Sequence, residues 1–245
     1  MTAPMTGPMT APMSEPTTAP MTEPMTEPMT GPTKTPMSSS TQRSSIAGPA
    51  GSIECAIDQP ADGTSRGLVV LCHPHPLHGG TMDNKVVQTL ARAFVQLGYT
   101  AVRFNFRGIG ASQGVWDDGR GEVDDAVSVV AAHRTGQPLV MAGFSFGGAM
   151  ASQAAARLAA AGDAAERIVL VGPAVKSFEV ATVPADTLVI HGEKDDVVLL
   201  SDVFDWARPQ GLPVTVLPGA GHFFHGQLPV LKQIVVAAWA SRRGT

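Results

Sequence analysis

The chain has 245 residues, a formal net charge of −4, 44% hydrophobic residues and two cysteines. This length holds one domain with a large core or two small ones, and the mild acidic balance leaves no electrostatic footprint for nucleic acid or an anionic membrane. Two cysteines make no disulfide framework, no run approaches the roughly 18 apolar residues needed to span a bilayer, and the N-terminus has neither the basic nor the apolar region of a secretory signal, so a cytoplasmic location is expected.

Residues 1–36 repeat a four-residue unit, MTAP, MTGP, MTEP and variants, with proline at every fourth place from Pro4 to Pro36. Proline removes an amide donor and biases its neighbours away from helix, and the other residues except methionine are small or polar. The expectation is a disordered or polyproline-like tail over residues 1–45, ahead of a folded domain over 46–245. Folded-type sequence begins soon after Met37, which makes Met37 the expected natural start.

From Ser52 strand and helix signals alternate, the pattern of a parallel sheet with helices on both faces. SIECAI is the first expected strand, and the apolar run GLVVLC (67–72) reads as a buried parallel strand with Cys72 as a buried thiol. The loop HPHPLHGG follows, then a helix over 84–98 with apolar residues at helical spacing and a glycine stop. YTAVRFNF (99–106) is a strand, and 121–136 a helix with acidic residues in its first turn and His133 and Arg134 in its last, which suits its dipole. PLVMAGF (138–144) is a strand, 147–162 an alanine-rich helix, and RIVLVGP (167–173) and DTLVIHG (186–192) are strands. A helix over 200–210, a strand PVTVLPG (213–219) and a last helix over 228–243 complete an α/β domain of seven or eight strands and five helices.

Gly143-Phe144-Ser145-Phe146-Gly147 lies between a buried strand and a helix, the setting that a nucleophile elbow requires. A sharp strand-to-helix turn strains the serine backbone, and side chains two residues before and after it would crowd the turn, so glycine stands at 143 and 147. A serine hydroxyl needs a base, and the base an orienting carboxylate; in this fold they follow in the order Ser, Asp or Glu, His. Glu193-Lys194-Asp195-Asp196 and Ala220-Gly221-His222 each follow a strand and open on the sheet edge that carries Ser145. His222 follows its strand and turn directly and is preferred to His225 as the base; Asp195 and Asp196 both remain candidates for the acid. His191, at a strand end, reads as structural.

Acyl transfer builds charge on the former carbonyl oxygen, which two backbone amides normally bind. Phe146, next after the serine, supplies one; the second comes from the loop His73 to Gly80, where Pro74 and Pro76 have no N–H. His75 is the best placed donor there and Leu77 the second choice. The three histidines of this loop lack zinc-ligand spacing, and the adjacent Cys72 reads as a buried thiol, so they are expected to tie the loop by hydrogen bonds and not to bind metal. Asn84, Asn105 and Arg107 read as loop or capping residues.

Together the motifs CHPHPLHGGTMDNKVV, RFNFRGIGASQG, GRGEVDDA, GFSFGG, HGEKDDVV and GAGHFF are far more specific than the serine motif alone. Over residues 46–243 the chain resembles the α/β-hydrolase superfamily, and within it the small bacterial serine esterases related to dienelactone hydrolases. The resemblance implies Ser145 as nucleophile, Asp195 as the acid, three positions after Gly192, and His222 as base, with no cofactor and no metal. Dienelactone hydrolases proper use a cysteine nucleophile, so their substrate does not carry over, and the proline repeat has no counterpart in the family pattern. Only AVKSFEVATVPA separates the strands RIVLVGP and DTLVIHG, too few residues for a sizeable helical cap, so the site is expected to be lidless. The expected activity is hydrolysis of a small-molecule carboxylic ester, with a thioesterase or small-peptide hydrolase as the alternative on the same triad and a non-catalytic binding protein as the alternative of another class. Neither the natural substrate nor the oligomeric state is indicated.

Overall fold

In the computed structural model, residues 41–240 are described. The repeat tail and Met37 lie outside the described residues. Eight strands form one sheet: β1 Thr41–Gly48, β2 Gly51–Asp58, β3 Leu68–Cys72, β4 Thr100–Phe104, β5 Leu139–Phe144, β6 Arg167–Val171, β7 Leu188–Gly192 and β8 Val214–Leu217. Five α-helices accompany them: α1 Lys85–Gln96, α2 Arg120–His133, α3 Phe146–Ala160, α4 Leu200–Ala207 and α5 Leu228–Ala240.

The strand order is β1-β2-β4-β3-β5-β6-β7-β8. β4 through β8 with β3 run parallel, and β2 joins β4 antiparallel with β1 folded back on it as a hairpin. This is the α/β-hydrolase architecture that the motifs imply. Every residue of β3 and β5 is buried, because helices cover both faces of a parallel sheet. Alternate residues divide between two cores. Val70, Cys72, Met141 and Leu170 face α2 and α3, whereas Val69, Leu71, Val140 and Val169 face α1 and α5.

Each expected helix and strand is present within a few residues of its expected ends. The first strand is the exception. Residues 41–45, placed in the tail on sequence, belong to β1, and Ile53 lies in the second strand, not the first. The segment TQRSSIAG is polar and largely exposed, so no local pattern marks it; its eight-residue register with β2 makes it a strand. The stretch between β6 and β7 contains no helix, in keeping with the lidless expectation.

Asn84 caps α1 by accepting the Val86 amide at 2.9 Å. Asn105 accepts the Met82 amide at 2.9 Å and donates to Glu54 at 2.7 Å. Arg107 grips Asp125 through two hydrogen bonds of 3.0 and 2.8 Å. All three therefore act as loop and cap residues. Beside them Arg103, almost wholly buried, holds Asp58 on β2 at 2.8 Å, Asp83 at 2.8 Å and the Met82 carbonyl at 3.0 Å. It joins the antiparallel ribbon to the loop before α1. Removing one member of such a group strands the others, so Arg103→Ala should cost about 2–3 kcal/mol, toward the low end of buried pairs because Asp83 keeps solvent and Arg43 as partners. Urea denaturation of the variant measures it.

Candidate active site

β5 ends at Phe144 and α3 begins at Phe146, so the whole reversal falls on Ser145, at φ 57° and ψ −120°. A non-glycine residue pays a strain cost there, and it is held by its amide, which donates to the Val171 carbonyl at 2.9 Å. The two flanking glycines answer to different neighbours. A Cβ on Gly143 would lie 2.0 Å from the Gly147 carbonyl oxygen, within the turn. On Gly147 it would lie 2.2 Å from the Cys72 carbonyl oxygen, at the end of β3. The second glycine thus lets α3 approach the adjacent strand, a constraint the turn alone does not reveal.

The loops after β7 and β8 bring Asp195 and His222 to this turn. His222 Nδ1 lies 2.7 Å from Asp195 Oδ2 and its Nε2 lies 3.0 Å from Ser145 Oγ. With the carboxylate ionised, Nδ1–H donates to it and Nε2 accepts the serine proton. All three residues are buried, at 8% exposure for Ser145 and 4% for each of the others. The His222 ring packs on Phe144 at 4.8 Å and edge-on to Phe223 at 5.1 Å.

Asp195 is fixed from its other oxygen. Oδ1 accepts the amides of Val197 at 3.0 Å and Val198 at 2.7 Å. Burial pushes the Asp195 carboxyl up, but the hydrogen bonds from His222 and the Val198 amide outweigh it and hold the group below the usual carboxylate range. Asp196, the other sequence candidate, is exposed, and His225 is exposed and stacked on Phe223. His191 is fully buried and donates from Nε2 to the Val198 carbonyl at 2.9 Å, closing the turn that presents Asp195. Its structural reading therefore holds. Gly172, which the sequence did not single out, lies at φ 50° under the pair: a Cβ there would be 3.5 Å from the His222 ring and 3.6 Å from Asp195 Oδ2.

Phe146 is the first residue of α3, and neither its amide nor that of His75 has an acceptor among the described residues. Leu77, the second choice, is committed: its amide donates to His75 Nδ1 at 3.2 Å. His73 is buried with both nitrogens used, Nδ1 donating to the Pro74 carbonyl at 2.6 Å and Nε2 accepting the Phe106 amide at 3.1 Å. Burial lowers its pKa to about 4. No group of three His, Cys, Asp or Glu side chains among the described residues could hold a metal ion. Cys55 and Cys72 are buried free thiols, and burial pushes the Cys55 pKa to about 12. No helix among the described residues is long and apolar enough to cross a membrane.

The family model described as serine aminopeptidase, S33 matches residues 63–184. A protein of Rickettsia prowazekii is 31% identical over 194 residues, 72% of this chain and 79% of the relative. Among solved structures, an α/β serine hydrolase homologue from Coxiella burnetii is 38% identical, with a TM-score of 0.72 over 80% of this chain and 96% of that one. An α/β serine hydrolase without lid from Xanthomonas campestris is 35% identical, with a TM-score of 0.74 over 81% of this chain and 93% of that one. A dienelactone hydrolase from Anabaena variabilis shares the fold at 18% identity and a TM-score of 0.66. With its sheet order, its strained serine turn and these relatives, the chain belongs to the α/β serine hydrolases, among the members that carry no lid.

Proposed function

We propose that the protein hydrolyses carboxylic esters through an acyl-enzyme, with Ser145 as nucleophile, His222 as general base and Asp195 as its orienting carboxylate. The observation that carries this reading is the unbroken hydrogen-bond line from Asp195 through His222 to Ser145, with spacings of 2.7 and 3.0 Å. Ser145 Oγ attacks the ester carbonyl while His222 Nε2 takes its proton, and Asp195 stabilises the imidazolium that forms. The amides of Phe146 and His75 bind the oxyanion; both are free to donate, which supports the assignment. The imidazolium returns its proton to the leaving alcohol. Water, deprotonated by the same nitrogen, then releases the acid and regenerates the serine. None of these steps calls for a metal or an organic cofactor, and the substrate is a small molecule.

The match to the serine aminopeptidase model favours a second reading, in which the same line cleaves an amide. p-Nitrophenyl esters, acyl-CoA thioesters and aminoacyl p-nitroanilides assayed in parallel separate the two: esters should be turned over fastest, and faster anilide cleavage would transfer the assignment to peptidase chemistry. A cytoplasmic location remains part of the proposal, and fractionation of the native host tests it.

Ser145→Ala should abolish turnover of p-nitrophenyl acetate and labelling by a fluorophosphonate; wild-type turnover in that variant would sink the nucleophile assignment. Asp195→Asn presents an amide N–H₂ to His222, favours the wrong tautomer and should lower kcat by roughly 10³–10⁴-fold, as triad carboxylates do, whereas Asp196→Asn should stay within about twofold. The same carboxylate contributes to stability. Its folded pKa is depressed, so its stabilisation is present above the unfolded carboxylate value of about 4 and is lost as pH falls through the lower folded value. Wild type should therefore exceed Asp195→Asn in melting temperature at pH 7, with the gap closing below about pH 4. Without a lid, ester turnover should rise smoothly across the substrate's micelle threshold, and a sharp jump there would contradict the open site.

A further inference from the structure

The loop that carries the His75 amide is short, exposed at its tip and bounded by two prolines, yet its central ring is held from several sides. His75 Nδ1 accepts the Leu77 amide at 3.2 Å, capping the short helical turn Pro76–His78. Its carbonyl accepts the amides of His78 at 3.1 Å and Gly80 at 3.0 Å. The imidazole stacks on His78 at 4.3 Å and on Trp116 at 4.8 Å, with interplanar angles of 24° and 28°. It also meets the rings of Phe146 at 5.3 Å and Phe178 at 5.4 Å. Burial, and then the neighbouring His78, hold the His75 imidazole below its usual pKa, which keeps Nδ1 an acceptor.

Trp116 is itself pinned. Its Nε1 donates to Asp118 at 2.9 Å, and Asp118 stands at φ 50° in a turn whose flanking amides, Asp117 at 3.1 Å and Gly119 at 2.8 Å, donate to the buried Glu122 carboxylate. Trp116 also packs 5.2 Å from Phe146, and Phe178 lies 4.8 Å from the same ring. Four separate segments thus meet in one cluster: the loops after β3 and β4, the first residue of α3, and the stretch between β6 and β7.

We infer that Trp116 and the His75 imidazole are positioning residues for the oxyanion site, bracing the His75 backbone against the Phe146 ring so that the two donor amides keep a fixed spacing. The inference rests on the proposed reading of those amides as the oxyanion donors. The His75 and Phe146 rings each hang on one Cβ from a backbone whose N–H is a donor, and Trp116 packs on both, so a ring displaced by the loss of Trp116 carries its amide with it. Oxyanion donors act only within a window of roughly 2.7–3.1 Å, and a constellation loosened by about 0.5 Å loses most of its advantage. The effect belongs to the transition state, because the amides meet full negative charge only there.

The experiment compares wild type with Trp116→Ala, Trp116→Phe and His75→Asn, the last keeping an acceptor for the Leu77 amide while removing the ring. For each, kcat and KM on p-nitrophenyl acetate, the affinity of a trifluoromethyl ketone that forms a tetrahedral adduct, and the melting temperature are measured. Trp116→Ala and His75→Asn should lower kcat by about 10–100-fold with KM within about twofold, and weaken the ketone by the same factor, part of the roughly 10²–10³ that a whole donor is worth. Trp116→Phe should recover to within about threefold of wild type. A lower melting temperature with kcat and ketone affinity unchanged in either folded variant would reduce the cluster to packing and overturn the inference. Should Trp116→Ala fail to fold, His75→Asn and the Trp116→Phe rescue decide by the same criteria. A wild-type protein that neither turns over esters nor accepts a fluorophosphonate would instead remove the underlying ester reading.

Discussion

The close approach of two backbones, at Gly147 and the carboxyl end of β3, is the contact on which the site depends. It lets α3 start directly above the sheet, so that Ser145 must make the full strand-to-helix reversal alone. The positive φ at Ser145 follows from this, as do the emergence of its hydroxyl at the sheet edge and the aim of the helix N-terminus toward it. Any side chain at Gly147 would push against carbonyl oxygens of Cys72 and His73, neither of which can yield without disturbing β3. The same β3 end launches the loop that carries His75. One contact therefore governs the placement of the proposed nucleophile and of both proposed oxyanion donors.

On the other side of Ser145, the His–Asp pair is ordered by local polar bonds more than by packing. Asp195 uses one oxygen for two amides of its own turn and the other for His222, and His191 fastens the far carbonyl of that turn. Gly172 forms a floor with no side chain beneath them. The pair is thus held by a carboxylate whose acceptor sites are filled before any substrate arrives, which is the preorganisation a low-dielectric site requires.

Much of this was legible in the sequence because the signals are local. Buried parallel strands such as LVMAGF are continuous apolar runs, the helices carry apolar spacing and end signals, and the residues at strand ends converge by topology alone. What escaped depends on contacts made at a distance. TQRSSIAG has no strand signature and becomes β1 through pairing. Asp195 and Asp196 are adjacent and chemically identical, and only the family spacing favoured the former; in the structure the direction of the turn buries one and exposes the other. His75 already ranked above Leu77 on sequence, but the hydrogen bond that occupies the Leu77 amide joins it to a side chain, which no spacing rule encodes. Gly172, Trp116 and Phe178 act through neighbours from other elements, so no motif pointed to them.

The strand that escaped the sequence pattern also determines how the sheet ends. An open sheet has two rims of unpaired peptide groups, each a template for a strand of another molecule. At one rim β1 presents eight residues, but they are mostly polar and exposed, with Arg43 standing out to meet Asp83. At the other, β8 is only four residues long. Among the described residues one rim is lined by hydrophilic side chains and the other is short, so the polarity that hid β1 from a pattern search is also what suits it to an outer place in the sheet.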